Sequence, residues 1–268
     1  MHGNLASSRF FEPFFPHIKN CSIIAPDMRG YGNSSYRKGF SSLLELAEDL
    51  SDFCDKLRLS RICAAGWSTG GGVAMELAAI RPDLVRCLVL INGVSCRGFP
   101  VPPKDERGKP IPGAYYSSRD ELIKDVHQVG FIREAIANRN ETALRRVFDR
   151  GIYINKRPSD DEYSDYINEM FKQRCNDDAY WALASYNITG EFTGINHGNG
   201  HANLIKAPIL AFHGDRDYIC EPWQARDNAE QFGKQLELVM LENCGHASFT
   251  DYPAEIGEKL SDFAVKYL

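Results

Sequence analysis

Gly66-Trp67-Ser68-Thr69-Gly70 is the stretch that most restricts what this chain can fold into. An apolar run, Arg61-Ile62-Cys63-Ala64-Ala65, leads into it, and a helical run from Gly71 to Ala79 leads out. Strand, sharp turn and helix with a serine at the apex is the context of a nucleophile elbow. The glycines have a steric reason. A serine held at strained, positive φ brings the backbone on either side of it into close contact, and side chains there would push the hydroxyl back into the sheet. Read alone, the motif is equally a glycine-rich strand-to-helix turn without chemistry, so the rest of the chain has to decide.

That remainder alternates between strand and helix. An aromatic helical stretch covers Ser8 to Ile18, and the continuous apolar run Cys21 to Pro26 predicts a short buried strand. Residues 27–35 are rich in turn formers. A helix is expected from Ser42 to Arg58, where Leu43, Leu46, Ala47, Leu50, Phe53, Cys54 and Leu57 recur at three- and four-residue spacing. After the elbow helix comes a strand over Cys87–Ile91. Strands apolar on both faces, alternating with helices, predict a parallel sheet covered on both sides. Residues 97–113 are then rich in Pro, Gly and charge, residues 118–187 read as helix only, and residues 190–203 as glycine-rich loop. Strands return at Ala207–Phe212 and Leu236–Leu241, and a closing helix runs over Pro253–Tyr267. The expected organisation is an α/β core of residues 1–96 and 204–268, with a helical cap over 97–203 inserted before the last two strands.

The two returning strands end in groups that could serve a serine: His213-Gly214-Asp215-Arg216-Asp217 and Cys244-Gly245-His246. The chain order is Ser, Asp, His, each just past the carboxyl end of a predicted strand, where open parallel sheets bind ligands. Serine is too weakly acidic to attack an ester unaided. A histidine can take its proton and return it to the leaving group, and a carboxylate can hold the imidazole in the right tautomer. Composition narrows the partners. A net charge of −5 disfavours nucleic acid and anionic membrane, and no apolar run approaches the ~18 residues of a membrane span. The 8 cysteines are scattered singly with no C-x-x-C, so no metal site and no cofactor is expected. Scattered thiols, with no signal-peptide pattern at Met1-His2-Gly3-Asn4, point to a reducing, cytoplasmic compartment. Oligomeric state leaves no mark in the sequence.

Over nearly its whole length the sequence resembles α/β-hydrolase-fold enzymes. The resemblance is carried by His2-Gly3-Asn4, by Asp27-Met28-Arg29-Gly30-Tyr31-Gly32-Asn33-Ser34, by Gly66 to Gly72, by Gly214-Asp215-Arg216-Asp217 and by Cys244-Gly245-His246. More narrowly, Gly-Trp-Ser-Thr-Gly-Gly-Gly is similar to the elbow of intracellular short-chain polyhydroxyalkanoate (polyhydroxybutyrate) depolymerases of bacilli and their relatives. The run from Gln173-Arg174 to Tyr186-Asn187-Ile188 is similar to theirs as well. The resemblance implies an α/β-hydrolase fold with Ser68, Asp217 and His246 as catalytic triad. Asp217 is preferred to Asp215 because the family's acid is the second aspartate of G-D-x-D, followed two positions on by an apolar residue, here Ile219. Asp215 is then a loop brace, and His213 is structural. It further implies an oxyanion hole of the Thr69 and Asn4 backbone N–H groups, and bracing roles for Arg29 and Asn33. Trp67, Tyr153 and Trp181 are the candidates for lining a substrate pocket.

The activity so implied is that of a serine hydrolase cleaving carboxylic esters through an acyl-serine, extending to short 3-hydroxyalkanoate oligomers. The substrate would be a small-molecule or oligomeric ester. The alternatives are C–C bond or lactone hydrolysis on the same triad, or a non-catalytic ligand-binding receptor that keeps the pocket. One departure stands out: the family ordinarily has about three strands before its H-G-x loop, and this sequence begins at that loop. The N-terminal strands being missing, either the sequence is a piece of a longer one or the sheet is reduced to about five strands. The run Cys21–Pro26 would then pair directly with Arg61–Gly66, or an edge would stay bare.

Overall fold

A computed structural model describes residues 1–268. Its sheet has strands β1 (Ile62–Trp67), β2 (Val85–Ile91), β3 (Ile209–Gly214) and β4 (Leu236–Leu241), in that spatial order and all parallel. Successive residues face opposite sides. Val89, Ile91, Leu210 and Phe212 enter one apolar core, and Leu88, Leu90, Ile209 and Ala211 enter the other. Strands buried on both sides must be covered twice. Helices α1 (Leu43–Lys56) and α2 (Thr69–Ile80) cover one face, and α10 (Pro253–Tyr267) the other. α1 starts where the Ser42 hydroxyl accepts the Glu45 N–H, and it buries Leu43, Leu46, Ala47, Leu50 and Cys54, the expected stripe. α2 is buried on all sides from Thr69 to Ala79, as an apolar helix pressed between sheet and loops must be.

Between β2 and β3 lie five helices: α3 (Arg119–Leu122), α4 (Val129–Ala137), α5 (Glu141–Gly151), α6 (Asp160–Met170) and α7 (Asn176–Ala184). Because the strands are parallel, the residues following Trp67, Ile91, Gly214 and Leu241 all emerge along one edge of the sheet.

Three expectations need correction. The run Cys21–Pro26 forms no strand: it is irregular, with Ile23 and Ile24 40% and 50% exposed. An apolar run records a need for burial but not a partner, and here the outer edge of β1 is paired only at its end. There Met1 donates to Ala65 O at 2.6 Å and accepts the Trp67 N–H at 3.0 Å. An apolar cavity of about 430 Å³ separates the rest of that edge from residues 21–26. The sheet therefore has four strands rather than about five, and its outer edge is the bare one. Lastly, the apolar pattern marks no helix between the final two strands or directly after His246, yet α8 (Pro222–Phe232) and α9 (Ser248–Asp251) are there. Two consecutive parallel strands require a crossover, and α8 opens with proline in its first turn, so both rules could have found it.

Candidate active site

At the carboxyl end of β1 the chain turns through Ser68 at φ 55°, ψ −122°, a conformation L-residues avoid. The turn is held on both sides: Ser68 N–H donates to Ile91 O at 3.1 Å, and Ser68 O accepts the Gly71 N–H at 2.8 Å. The flanking glycines are required by contact. A Cβ on Gly66 would lie 2.1 Å from Gly70 O, and one on Gly70 would lie 2.4 Å from Met1 O.

Asp217 is buried in the turn after β3, and all its acceptor capacity is used. Oδ1 accepts the N–H groups of Ile219 and Cys220, both at 2.9 Å. Oδ2 accepts His246 Nδ1 at 2.8 Å and Asn92 Nδ2 at 2.9 Å. Burial by itself would raise its pKa. The facing His246 and the convergent donors outweigh burial and hold the carboxyl below its usual value. With Nδ1–H committed to Asp217, the imidazole of His246 keeps its lone pair on Nε2. Asp215 lies apart from this pair and accepts the Cys244 N–H at 3.1 Å, bracing the histidine loop. His213 Nε2 bonds to Cys220 O at 2.7 Å and so carries its proton there.

Trp67 connects serine and histidine. Its indole N–H donates to His246 O at 2.8 Å, and its ring lies 5.4 Å from the imidazole. The Ser68 hydroxyl makes no hydrogen bond to the ring. Trp67 is 1% exposed and packed against Phe249 and Phe11, so the indole supports the histidine from beneath.

On the other side of Ser68 runs the His2-Gly3-Asn4 loop, so close that a Cβ on Gly3 would lie 3.0 Å from Ser68 Cβ. His2 fixes this loop: its Nε2 accepts the Met28 N–H at 3.0 Å, so Nδ1 carries the proton and donates to Gly3 O at 2.9 Å. The Asn4 N–H has no partner within the protein, and Thr69, first residue of α2, has no residue one turn earlier in the helix to accept its N–H. Arg29 and Asn33 sit in the neighbouring loop. Arg29 donates to Asp49 and to the carbonyls of Gly39 and Glu45, and the Asn33 N–H donates to Asp27.

His2 makes the loop acid-sensitive. Burial lowers its pKa to about 4, against 6.5 in an unfolded chain. Between those values the unfolded chain binds a proton that the folded chain refuses. The stabilisation is therefore intact above pH 6.5 and is lost as pH falls from 6.5 to 4, by about 3 kcal/mol. Thermal melts from pH 8 to 4 should show Tm falling through that window, and His2→Gln should flatten the slope. An unchanged slope in the variant would exclude His2 as the source.

The inserted helices rest on the acid and histidine loops. A Cβ on Gly151 would meet Ile219 Cδ1 at 2.7 Å, and one on Gly245 would meet Ile154 Cγ1 at 2.7 Å and Ile152 O at 3.1 Å. Tyr153, between those two isoleucines, packs edge-on against Tyr163 at 5.3 Å, its hydroxyl buried without a partner. Trp181 is partly buried against the same aromatic core. Three site residues were not anticipated. Asn92, at φ 46° directly after β2, donates to both Asp217 and Gly245 O, and the strand-end rule that found Asp217 would have found it. Asp251 accepts the N–H groups of Gly245 and Lys156, and Gln173 bonds to the Asn4 loop. Asp251 carries no local sequence signal, and Gln173 stands at the start of the run that resembles the depolymerases, with nothing local to tie it to Asn4.

Residues 1–253 match the family described as alpha/beta hydrolase fold, and the chain belongs to that family. Among curated proteins it is similar to the AB hydrolase superfamily protein YisY of Bacillus subtilis, 24% identical over 98% of this chain and 90% of YisY. Several curated relatives match more locally, among them three uncharacterized mycobacterial proteins of which the chain spans only 21% of the length. Another is Lipase LipV of Mycobacterium tuberculosis, 33% identical over 34% of this chain and 35% of LipV. Among solved structures, the esterase EaEST from Exiguobacterium antarcticum superposes with TM-score 0.72 at 19% identity, over 98% of this chain and 89% of that one. No helix is long and apolar enough to cross a membrane, and all eight cysteines are free thiols.

Proposed function

We propose that the chain is a serine hydrolase acting on carboxylic esters. The observation that carries this is the buried Asp217–His246 pair set beside a serine at positive φ on the strand-to-helix turn. His246 Nε2 takes the Ser68 proton as the hydroxyl attacks the ester carbonyl, and Asp217 holds the ring and offsets its developing charge. The Ser68–His246 contact forms with substrate in place, as such contacts commonly tighten only in the complex. The Asn4 and Thr69 N–H groups, free of partners, receive the oxyanion. One such donor is typically worth ~10²–10³ in turnover. His246 returns the proton to the leaving alcohol, and water resolves the acyl-serine by the same steps in reverse.

Residues 97–203 act as a cap over the acyl site, with Tyr153 and Trp181 contributing apolar wall. Aromatic walls suit an ester with little charge, and the elbow sequence favours short 3-hydroxyalkanoate oligomers within that class. The test is a panel of short-chain p-nitrophenyl esters, a simple lactone and soluble 3-hydroxybutyrate oligomers. Hydrolysis of p-nitrophenyl esters is expected throughout, with the highest kcat/KM on the oligomers. A panel in which esters react and oligomers do not removes the finer assignment. A panel in which nothing reacts removes the hydrolase reading itself.

A further inference from the structure

The connection between α6 and α7 reaches into the core at Gln173, which is 4% exposed. Both of its side-chain hydrogen bonds go to the turn bearing Asn4. Oε1 accepts the Leu5 N–H at 2.9 Å, and Nε2 donates to Asn4 Oδ1 at 2.9 Å. Asn4 Oδ1 also accepts Tyr31 Oη at 3.1 Å. The turn needs such support, because Leu5 adopts φ 56°, a region a leucine rarely occupies. The adjacent Arg174 N–H donates to Gly30 O at 2.8 Å, and its guanidinium contacts the carbonyls of Tyr31 and Gly32 at 3.4 Å. Gln173-Arg174 thus links the inserted helices to the Asn4 loop beside Ser68 and to the adjoining loop of residues 27–35.

We propose that Gln173 is a positioning residue for the oxyanion hole. Reaching from the inserted helices, it holds the Asn4–Leu5 turn so that the Asn4 N–H faces the reacting carbonyl oxygen. The hole is complete only while the insertion is seated. The inference rests on the serine-hydrolase reading. Without the glutamine amide, the Leu5 N–H loses its acceptor inside the protein, and a strained turn relaxes by rotating its peptide units. Rotation carries the Asn4 N–H away from the oxygen, and a misplacement of about 1 Å costs on the order of 100-fold in rate. Because charge reaches that oxygen only in the transition state, the loss falls on kcat and spares KM.

The test compares wild type, Gln173→Leu, Gln173→Glu and Asn4→Ala. Each is assayed for p-nitrophenyl ester hydrolysis, Tm, and affinity for a trifluoromethyl ketone, whose hemiketal oxyanion with Ser68 would occupy the hole. Gln173→Leu removes both bonds, and its kcat should fall about 30- to 100-fold with KM within about threefold. Ketone affinity should fall by a similar factor. Gln173→Glu keeps the acceptor for Leu5 and should recover part of the loss. Asn4→Ala removes the acceptor of Nε2 and leaves the backbone donor, so it should share the kcat defect even where Gln173→Leu folds poorly. A folded Gln173→Leu with kcat within threefold of wild type overturns the inference, as does a kcat loss without any loss of ketone affinity. A wild type that neither turns over esters nor labels with a fluorophosphonate overturns the serine-hydrolase reading beneath it, a different outcome from either.

Discussion

Replacing Ser68 with alanine is expected to cut ester hydrolysis by about 10⁵- to 10⁶-fold, leaving only what binding and the oxyanion donors supply. The reasoning runs through Nε2 of His246. Asp217 fixes the ring so that this atom has a lone pair to offer, and only an oxygen bearing a proton at the elbow can use it. Alanine keeps the Cβ and therefore the backbone strain at φ 55°, and the N–H of Ser68 still donates to Ile91. Stability should stay within about 1 kcal/mol, or a few degrees in Tm. The decisive comparison is turnover of p-nitrophenyl butyrate by wild type and Ser68→Ala prepared in parallel, with circular-dichroism melts on both. A folded Ser68→Ala protein retaining more than about 1% of the wild-type rate would place the nucleophile elsewhere.

Gly66→Ala is expected to damage the fold itself. The added methyl would sit 2.1 Å from Gly70 O, 2.4 Å from Gly70 C and 2.6 Å from Gly71 N. All three are backbone atoms at the start of α2, so no side chain can swing aside, and the helix must move off the strand. Overpacking of that kind costs a few kcal/mol, about 3–5 here, which lowers Tm by about 10 °C in a chain of this size. Gly72→Ala is the control on the same helix. Its new methyl would meet the Leu43 Cδ1 side-chain atom at 2.6 Å and Val94 Cγ2 at 3.0 Å, both of which can shift. Equal losses for the two variants would show that general crowding, and not the elbow, sets the cost.

Periodicity and strand-end chemistry were legible in the sequence. β4 and α10 begin and end where the apolar pattern does, and the Asp217–His246 pair joins the ends of two strands picked out as functional. Partnership was not legible. Cys21–Pro26 has the composition of a buried strand, but a strand is made by its neighbour, and β1 is paired on that side only by Met1. Trp67 shows the same limit: its bond to His246 O and its packing against Phe11 and Phe249 join positions far apart in sequence. Asp251 reaches the N–H of Lys156 and Gln173 the N–H of Leu5 across long sequence separations, through hydrogen bonds to backbone that any polar residue could make. Asn92 differs: it directly follows an apolar strand, as the acid and base loops do, and composition alone concealed it.

The backbone at Ser68 carries one last consequence. A glycine would occupy φ 55° without the clash that a Cβ brings, so Ser68→Gly should gain about 1 kcal/mol of local relief while abolishing the nucleophile. The serine is thus held uphill on the stability landscape. In any lineage freed from the demand to hydrolyse, the easiest mutational step at this position would lead away from catalysis and toward a sturdier, inert protein.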